Sequence, residues 1–130
     1  MKRKGRLENQ VQSGVISYLC FRPDIFWWRN NSGAYKPASG GYIKYGMVGS
    51  ADILALQAPH GRFIGVETKR EVGGELTVDQ RVWGENVVAH GGLYVVATTV
   101  QDVIDALGEP QVRVVKQVAR QRTYPRGNPK

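Results

Sequence analysis

Along the first twenty residues, apolar positions return at helical spacing: Leu7, Val11, Val15 and the pair Tyr18/Leu19. That period predicts an amphipathic helix over 7–20, which Pro23 and Asp24 interrupt. Cys20 falls on it as a small buried hydrophobe. Residues 25–29 (IFWWR) are short, aromatic and strand-like, and alternation sets Trp27 and Trp28 on opposite faces. One belongs to a core; base stacking is the weaker reading of the other. Residues 30–50 are rich in Gly, Ser and Tyr and read as a long loop with room for a short hairpin. Two strand-like runs follow, 51–57 (ADILALQ) and 62–69 (RFIGVETK), and the turn residues between them predict antiparallel pairing.

A second helix is expected over 77–90, capped by Thr77 and ended by Gly91 and Gly92. Residues 93–98 (LYVVAT) form the most strand-like run, and 99–107 a third helix closed by Gly108. Residues 111–118 fit a strand or a helix equally, and the chain after Gln121 reads as a disordered tail. The order α-β-β-β-α-β-α predicts an α/β fold with a central mixed sheet flanked by helices.

At 130 residues, one domain is expected, and 42% hydrophobic content is too apolar for wholesale disorder. No apolar run approaches the roughly 18 residues of a membrane span, and the first ten residues lack the apolar stretch of a signal peptide. A cytoplasmic protein is therefore expected. One cysteine, with only His60 and His90 as histidines, excludes an internal disulfide and a structural zinc cage.

Charge divides the chain. Residues 1–6 carry Lys2, Arg3, Lys4 and Arg6 without an acid, and residues 113–130 carry six further cations without one. The net charge of +7 thus hides eight basic and eleven acidic residues in 7–112. This predicts a basic arm (1–6), a mildly acidic body (7–110) and a basic extension (111–130). Basic arms attract nucleic acid through phosphate contacts, although terminal cations also serve solubility alone. Carboxylates clustered in a polyanion-binding body suggest metal ions lying between protein and phosphate.

The antiparallel pairing brings Asp52, at the start of one strand, beside Glu67 and Lys69, at the end of the other. Carboxylates meeting there suit Mg²⁺ or Mn²⁺, and a lysine beside the metal could orient or deprotonate a water. Alone, the three residues equally describe a surface hairpin with a salt bridge. Glu8 and Gln12 share a face of the first helix, and Gln80 and Trp83 share one on the second, with Trp83 expected in the core and Gln80 at its edge.

The combination resembles a known pattern: E…Q on helix one, R-N-x-S-G, G-S-A-D on a strand, V-E-T-K on the next, then L-T-x-x-Q-x-x-W and G-G-L-Y-V-V. It is similar to the virus-type replication-repair nuclease (VRR-NUC) domain, a branch of the PD-(D/E)xK superfamily with the restriction-endonuclease-like core, from about Glu8 to Leu107. Ala51 stands where the superfamily has proline, and residues 113–130 have no counterpart in the pattern.

The resemblance implies a metal-dependent endonuclease that cuts DNA phosphodiesters. Asp52 and Glu67 would be metal ligands with the Thr68 carbonyl, Glu8 would complete the acidic cluster, Lys69 would activate water or stabilise the transition state, and Gln80 would support Lys69 or a metal-bound water. Stand-alone members resemble Holliday-junction resolvases, act as homodimers on branched DNA, and fit a phage or prophage origin. A restriction-type duplex endonuclease and a non-catalytic nucleic-acid-binding module are the rivals.

DNA contacts are expected from Lys2, Arg3, Lys4, Arg6, Arg29, Asn30, Lys36 and Lys44. A turn role for Asn30 and Asn31 is equally open. Aromatic and basic residues interleave at Tyr35, Lys36, Tyr42, Lys44 and Tyr45, which suits either a clamp on DNA or a dimer contact.

Overall fold

Alternation along each strand divides the sheet into two faces, and the apolar residues choose between them. In the computed structural model, which describes residues 5–114, the chain runs α1 (Glu8–Leu19), β1 (Ile25–Arg29), β2 (Gly33–Tyr35), β3 (Ile43–Tyr45), β4 (Ile53–Gln57), β5 (Arg62–Thr68), α2 (Val78–Ala89), β6 (Leu93–Ala97) and α3 (Val100–Leu107). The main sheet has the order β1-β4-β5-β6. β1–β4 and β4–β5 are antiparallel, and β5–β6 is parallel. A parallel pair needs a crossover, and α2 supplies it. The expected mixed α/β sheet flanked by helices is present. The 30–50 segment adds a separate two-stranded ribbon, β2–β3.

One face carries the core. Ile25, Ile53, Ala55, Ile64, Val66, Val95 and Ala97 pack against Val11, Val15 and Leu19 of α1 and Val103 and Leu107 of α3. The helical residues recur every four positions, so each helix buries a single stripe. Among the described residues, α2 is the helix that packs on the other face, over β5 and β6. Gly65 makes room for it: a Cβ there would meet the Trp83 ring at 2.7 Å. Trp83 meets Phe63 and Tyr94 edge-on, with centroids at 6.2 and 5.8 Å. This corrects the expectation of Trp83 in the core. A single helix leaves that face partly open, so the indole is only half-buried.

At the sheet end away from Asp52, Arg22 and Asp24 form a buried ion pair with two parallel bonds of 2.9 Å. Arg22 also donates to the Tyr18 hydroxyl and the Gly108 carbonyl, while Asp24 accepts from the Gln111 amide and, at 3.5 Å, from Gln57. The cluster therefore ties the ends of α1, β4 and α3 together. Burial by itself would raise the Asp24 carboxyl, but the guanidinium and the Gln111 amide overcome it and hold the pKa at about 2.

Cys20 corrects another expectation. It lies one residue past Leu19, rotated off the buried stripe, and is exposed. Residues 111–114 are neither strand nor helix, and the rest of the 111–130 extension lies outside the described residues. No helix among the described residues is long and apolar enough to cross a membrane.

Candidate metal centre

The β4–β5 register places Ile53 opposite Val66, so one step outward Asp52 stands opposite Glu67. Asp52 is fixed from two sides. Its Oδ2 accepts from the Thr68 backbone N–H at 2.9 Å and from the Thr68 hydroxyl at 2.8 Å. Its own carbonyl accepts from the Asn30 N–H at 2.9 Å. The Asn30 side-chain amide donates to Ser50 Oγ and to the Ala51 carbonyl, which pins the approach to β4. The first residue of α1, Glu8, completes the group: one carboxylate oxygen each from Glu8, Asp52 and Glu67 lie within 4.8 Å of one another.

Glu67 is the most constrained of the three. It is 1% exposed, and its Oε2 is buried with no hydrogen-bond partner. Oε1 accepts from Gln80 Nε2 at 2.8 Å and lies 3.7 Å from Lys69 Nζ. Burial, then the neighbouring Asp52 charge and that of Glu8, push the carboxyl from 4.5 up to about 7 against the pull of Lys69. Tyr94, behind this site, is raised to about 12 by burial and then by the Glu67 and Asp52 charges.

Gln80 is aimed by a capping box at the start of α2. Its N–H donates to Thr77 Oγ1 at 3.2 Å, and its side-chain Oε1 accepts from the Thr77 N–H at 2.9 Å. With the oxygen held there, the amide nitrogen is left facing Glu67.

The arrangement has the properties of a hard-cation site. Three carboxylates repel one another in a partly desolvated place, and a buried oxygen lacks a donor. Their donor atoms are all oxygens, which match Mg²⁺ or Mn²⁺ rather than a thiolate-seeking metal. A cation would satisfy the Glu67 Oε2 atom and offset the repulsion in one step.

The structure thus brings together Asp52, Glu67, Lys69, Glu8 and Gln80. Gln80 touches Glu67, where the sequence suggested Lys69 or a water. Thr68 is visible through its N–H and hydroxyl, which hold Asp52. Of the residues expected to meet DNA, Asn30 instead has both amide protons engaged within the fold, because the chain turns there from β1 toward the ribbon. Arg29 is exposed at the end of β1, Lys44 lies on β3 of the ribbon and Lys36 just past the end of β2. The Arg6 main chain is docked on the body, with its N–H donating to the Glu71 carboxylate and its carbonyl accepting from the Glu71 N–H. Lys2, Arg3 and Lys4 lie outside the described residues.

Sequence reasoning missed the aiming role of Thr77, although the T-x-x-Q spacing that produces it is plain in the chain. It also missed Ser50, whose pairing with Asn30 across twenty residues leaves no local signal. No protein-family model, curated protein or solved structure matches this chain.

Proposed function

We propose that this protein is a divalent-metal-dependent DNA endonuclease of the VRR-NUC type, built on a PD-(D/E)xK core and selective for branched DNA. The observation that carries this reading is a Glu67 carboxylate with a buried, unpartnered Oε2, clustered with Glu8 and Asp52 and with Lys69 beside its Oε1. A purely structural salt bridge has no reason to crowd three carboxylates around one amine.

Glu8, Asp52 and Glu67 would hold Mg²⁺ or Mn²⁺, and the bound ion supplies Lewis-acid polarisation of the scissile phosphate. The chain's own groups do the rest. Thr68 holds the Asp52 carboxylate in place with two donors. Gln80 holds Glu67 by donating from its Nε2 to Oε1. Lys69, 9% exposed with its Nζ 3.7 Å from Glu67 Oε1, would offset negative charge developing on the phosphate oxygens or orient the attacking water. Hydrolysis adds that water across the P–O bond, leaving one strand end with a phosphate and the other with a hydroxyl.

One domain holds one such centre, so paired cuts in the two strands of a junction need a twofold homodimer. This activity places the protein where DNA is handled, in a bacterial or phage-infected cytoplasm.

A cleavage panel tests the reading: four-way junction, flap, fork and linear duplex, each with Mg²⁺, Mn²⁺ or EDTA, using wild type and Asp52→Ala. Cutting of branched substrates by wild type alone, lost in EDTA, is the expected result. Calorimetric metal binding without cleavage of any substrate would overturn it in favour of a non-catalytic binding module. Equal cutting of linear duplex would favour the restriction-type reading.

A further inference from the structure

The β2–β3 ribbon stands apart from the main sheet, and all six of its paired residues are exposed. Alternation gives it two unlike faces. Tyr35, Ile43 and Tyr45 lie on one, and the two tyrosine rings are 6.5 Å apart at 45°. Both rings are about half exposed, at 52% and 48%. Lys44 lies on the other face, and Lys36 follows the end of β2. From Ile25 to Ala51 the chain contains no acid, while Arg29, Lys36 and Lys44 supply cations.

The base of the ribbon is tied to the body. Asn30 bonds Ser50 and Ala51 across it, and Ala51 is the residue before Asp52. Gly49, at φ +79°, is pressed against the first turn of α2, where a Cβ would collide with the Asp79 carbonyl. Trp83 Nε1 donates to Met47 Sδ at 3.2 Å. Rings and cations on a stem tied to the body beside the carboxylate cluster are therefore held out to solvent. Apolar packing alone explains neither the excess positive charge nor the absence of acids. A polyanion that also offers flat π-faces explains both, and unpaired nucleotides have that chemistry.

We propose that the β2–β3 ribbon stacks unpaired bases of DNA on Tyr35 and Tyr45 and so brings junctions between paired and unpaired strands to the carboxylate centre. The inference rests on the nuclease reading for DNA as the ligand, but binding without cleavage tests it separately.

The experiment uses the full chain in EDTA, with a fluorescein-labelled duplex, the same duplex carrying a central unpaired tract, and a single strand of equal length. A 2-aminopurine in the unpaired tract reports stacking. Wild type is expected to prefer the two DNAs with unpaired bases and to quench the aminopurine. Tyr35→Ala/Tyr45→Ala should lower affinity for those DNAs about tenfold, leave duplex affinity unchanged and abolish the quenching. Tyr35→Phe/Tyr45→Phe should behave as wild type, because the π-face remains. Asp52→Asn should keep the preference, so a failure of cleavage alone leaves this inference standing.

Wild-type preference and quenching in the double alanine variant would overturn it. So would conversion of a wild-type dimer to a monomer by the double variant with the preference intact, since the ribbon would then be a contact between copies of this chain.

Discussion

Glu67 concentrates the physics of the site in one side chain. Its carboxyl is raised from 4.5 to about 7, chiefly by burial and then by the Asp52 charge. Between those values the folded protein holds a proton that the unfolded chain releases, so rising pH favours unfolding. The stabilisation from this group is complete below about pH 4.5 and lost as pH rises through about 7. In EDTA the thermal midpoint should therefore fall between pH 5 and pH 8, and Mg²⁺ should reverse much of that fall at pH 8 by replacing the proton. Glu67→Gln should flatten the metal-free slope, raise the midpoint at pH 8 and abolish the Mg²⁺-induced shift. A wild-type slope unaltered by the substitution would show that other groups set it. Asp24, held at about 2, works in the opposite sense. Its contribution is present above its ordinary value of 3.8 and disappears as pH falls through about 2, so the two windows do not overlap.

At the scale of elements, the start of α2 serves both stability and the site. Thr77→Ala removes one half of the capping box and should lower stability by about 1 kcal/mol in urea titration. The bond that holds the Gln80 side chain comes from the Thr77 backbone N–H and survives the substitution, so cleavage should fall only as far as the loss of folded protein accounts for. Thr77→Ser keeps the hydroxyl and should restore both. The elements themselves were largely legible. IFWWR, the β4–β5 hairpin and the Thr77 cap follow from periodicity and turn chemistry, and the hairpin pairing already brings Asp52 and Glu67 together. The Arg22–Asp24 cluster was not legible, because two residues flanking a proline read only as a helix breaker. Its partners Gly108 and Gln111 lie 86 and 87 residues away. Arg22→Ala leaves the Asp24 charge buried and should cost about 3–5 kcal/mol, measurable as a lower urea midpoint. Cys20 and Trp83 were misplaced for a related reason: helical spacing gives a direction around an axis, and only the packed layers decide whether anything lies there.

Across the whole molecule, cations and acids are segregated along the chain. The eleven acids all fall in residues 7–112, and three of them meet at one sheet end, while ten of the eighteen cations lie in the terminal segments 1–6 and 113–130. On the proposed nuclease reading, such a division lets positive charge in the terminal segments gather DNA while a local negative cluster gathers the metal that screens it from the phosphate. The two should therefore be separable. Each cation that meets a duplex phosphate contributes about 0.9 to the slope of log affinity against log salt concentration. Replacing Lys2, Arg3 and Lys4 with alanine should thus reduce that slope by up to about three, weaken binding to all DNAs alike, and leave the cleavage rate at saturating DNA unchanged. Asp52→Asn should do the reverse, leaving the slope near its wild-type value while cleavage stops. Anisotropy titrations at several salt concentrations, paired with single-turnover cleavage, distinguish these outcomes. If the triple variant instead slowed the saturated reaction with its salt slope intact, the terminal charges would belong to the chemistry and the division between capture and catalysis would fail.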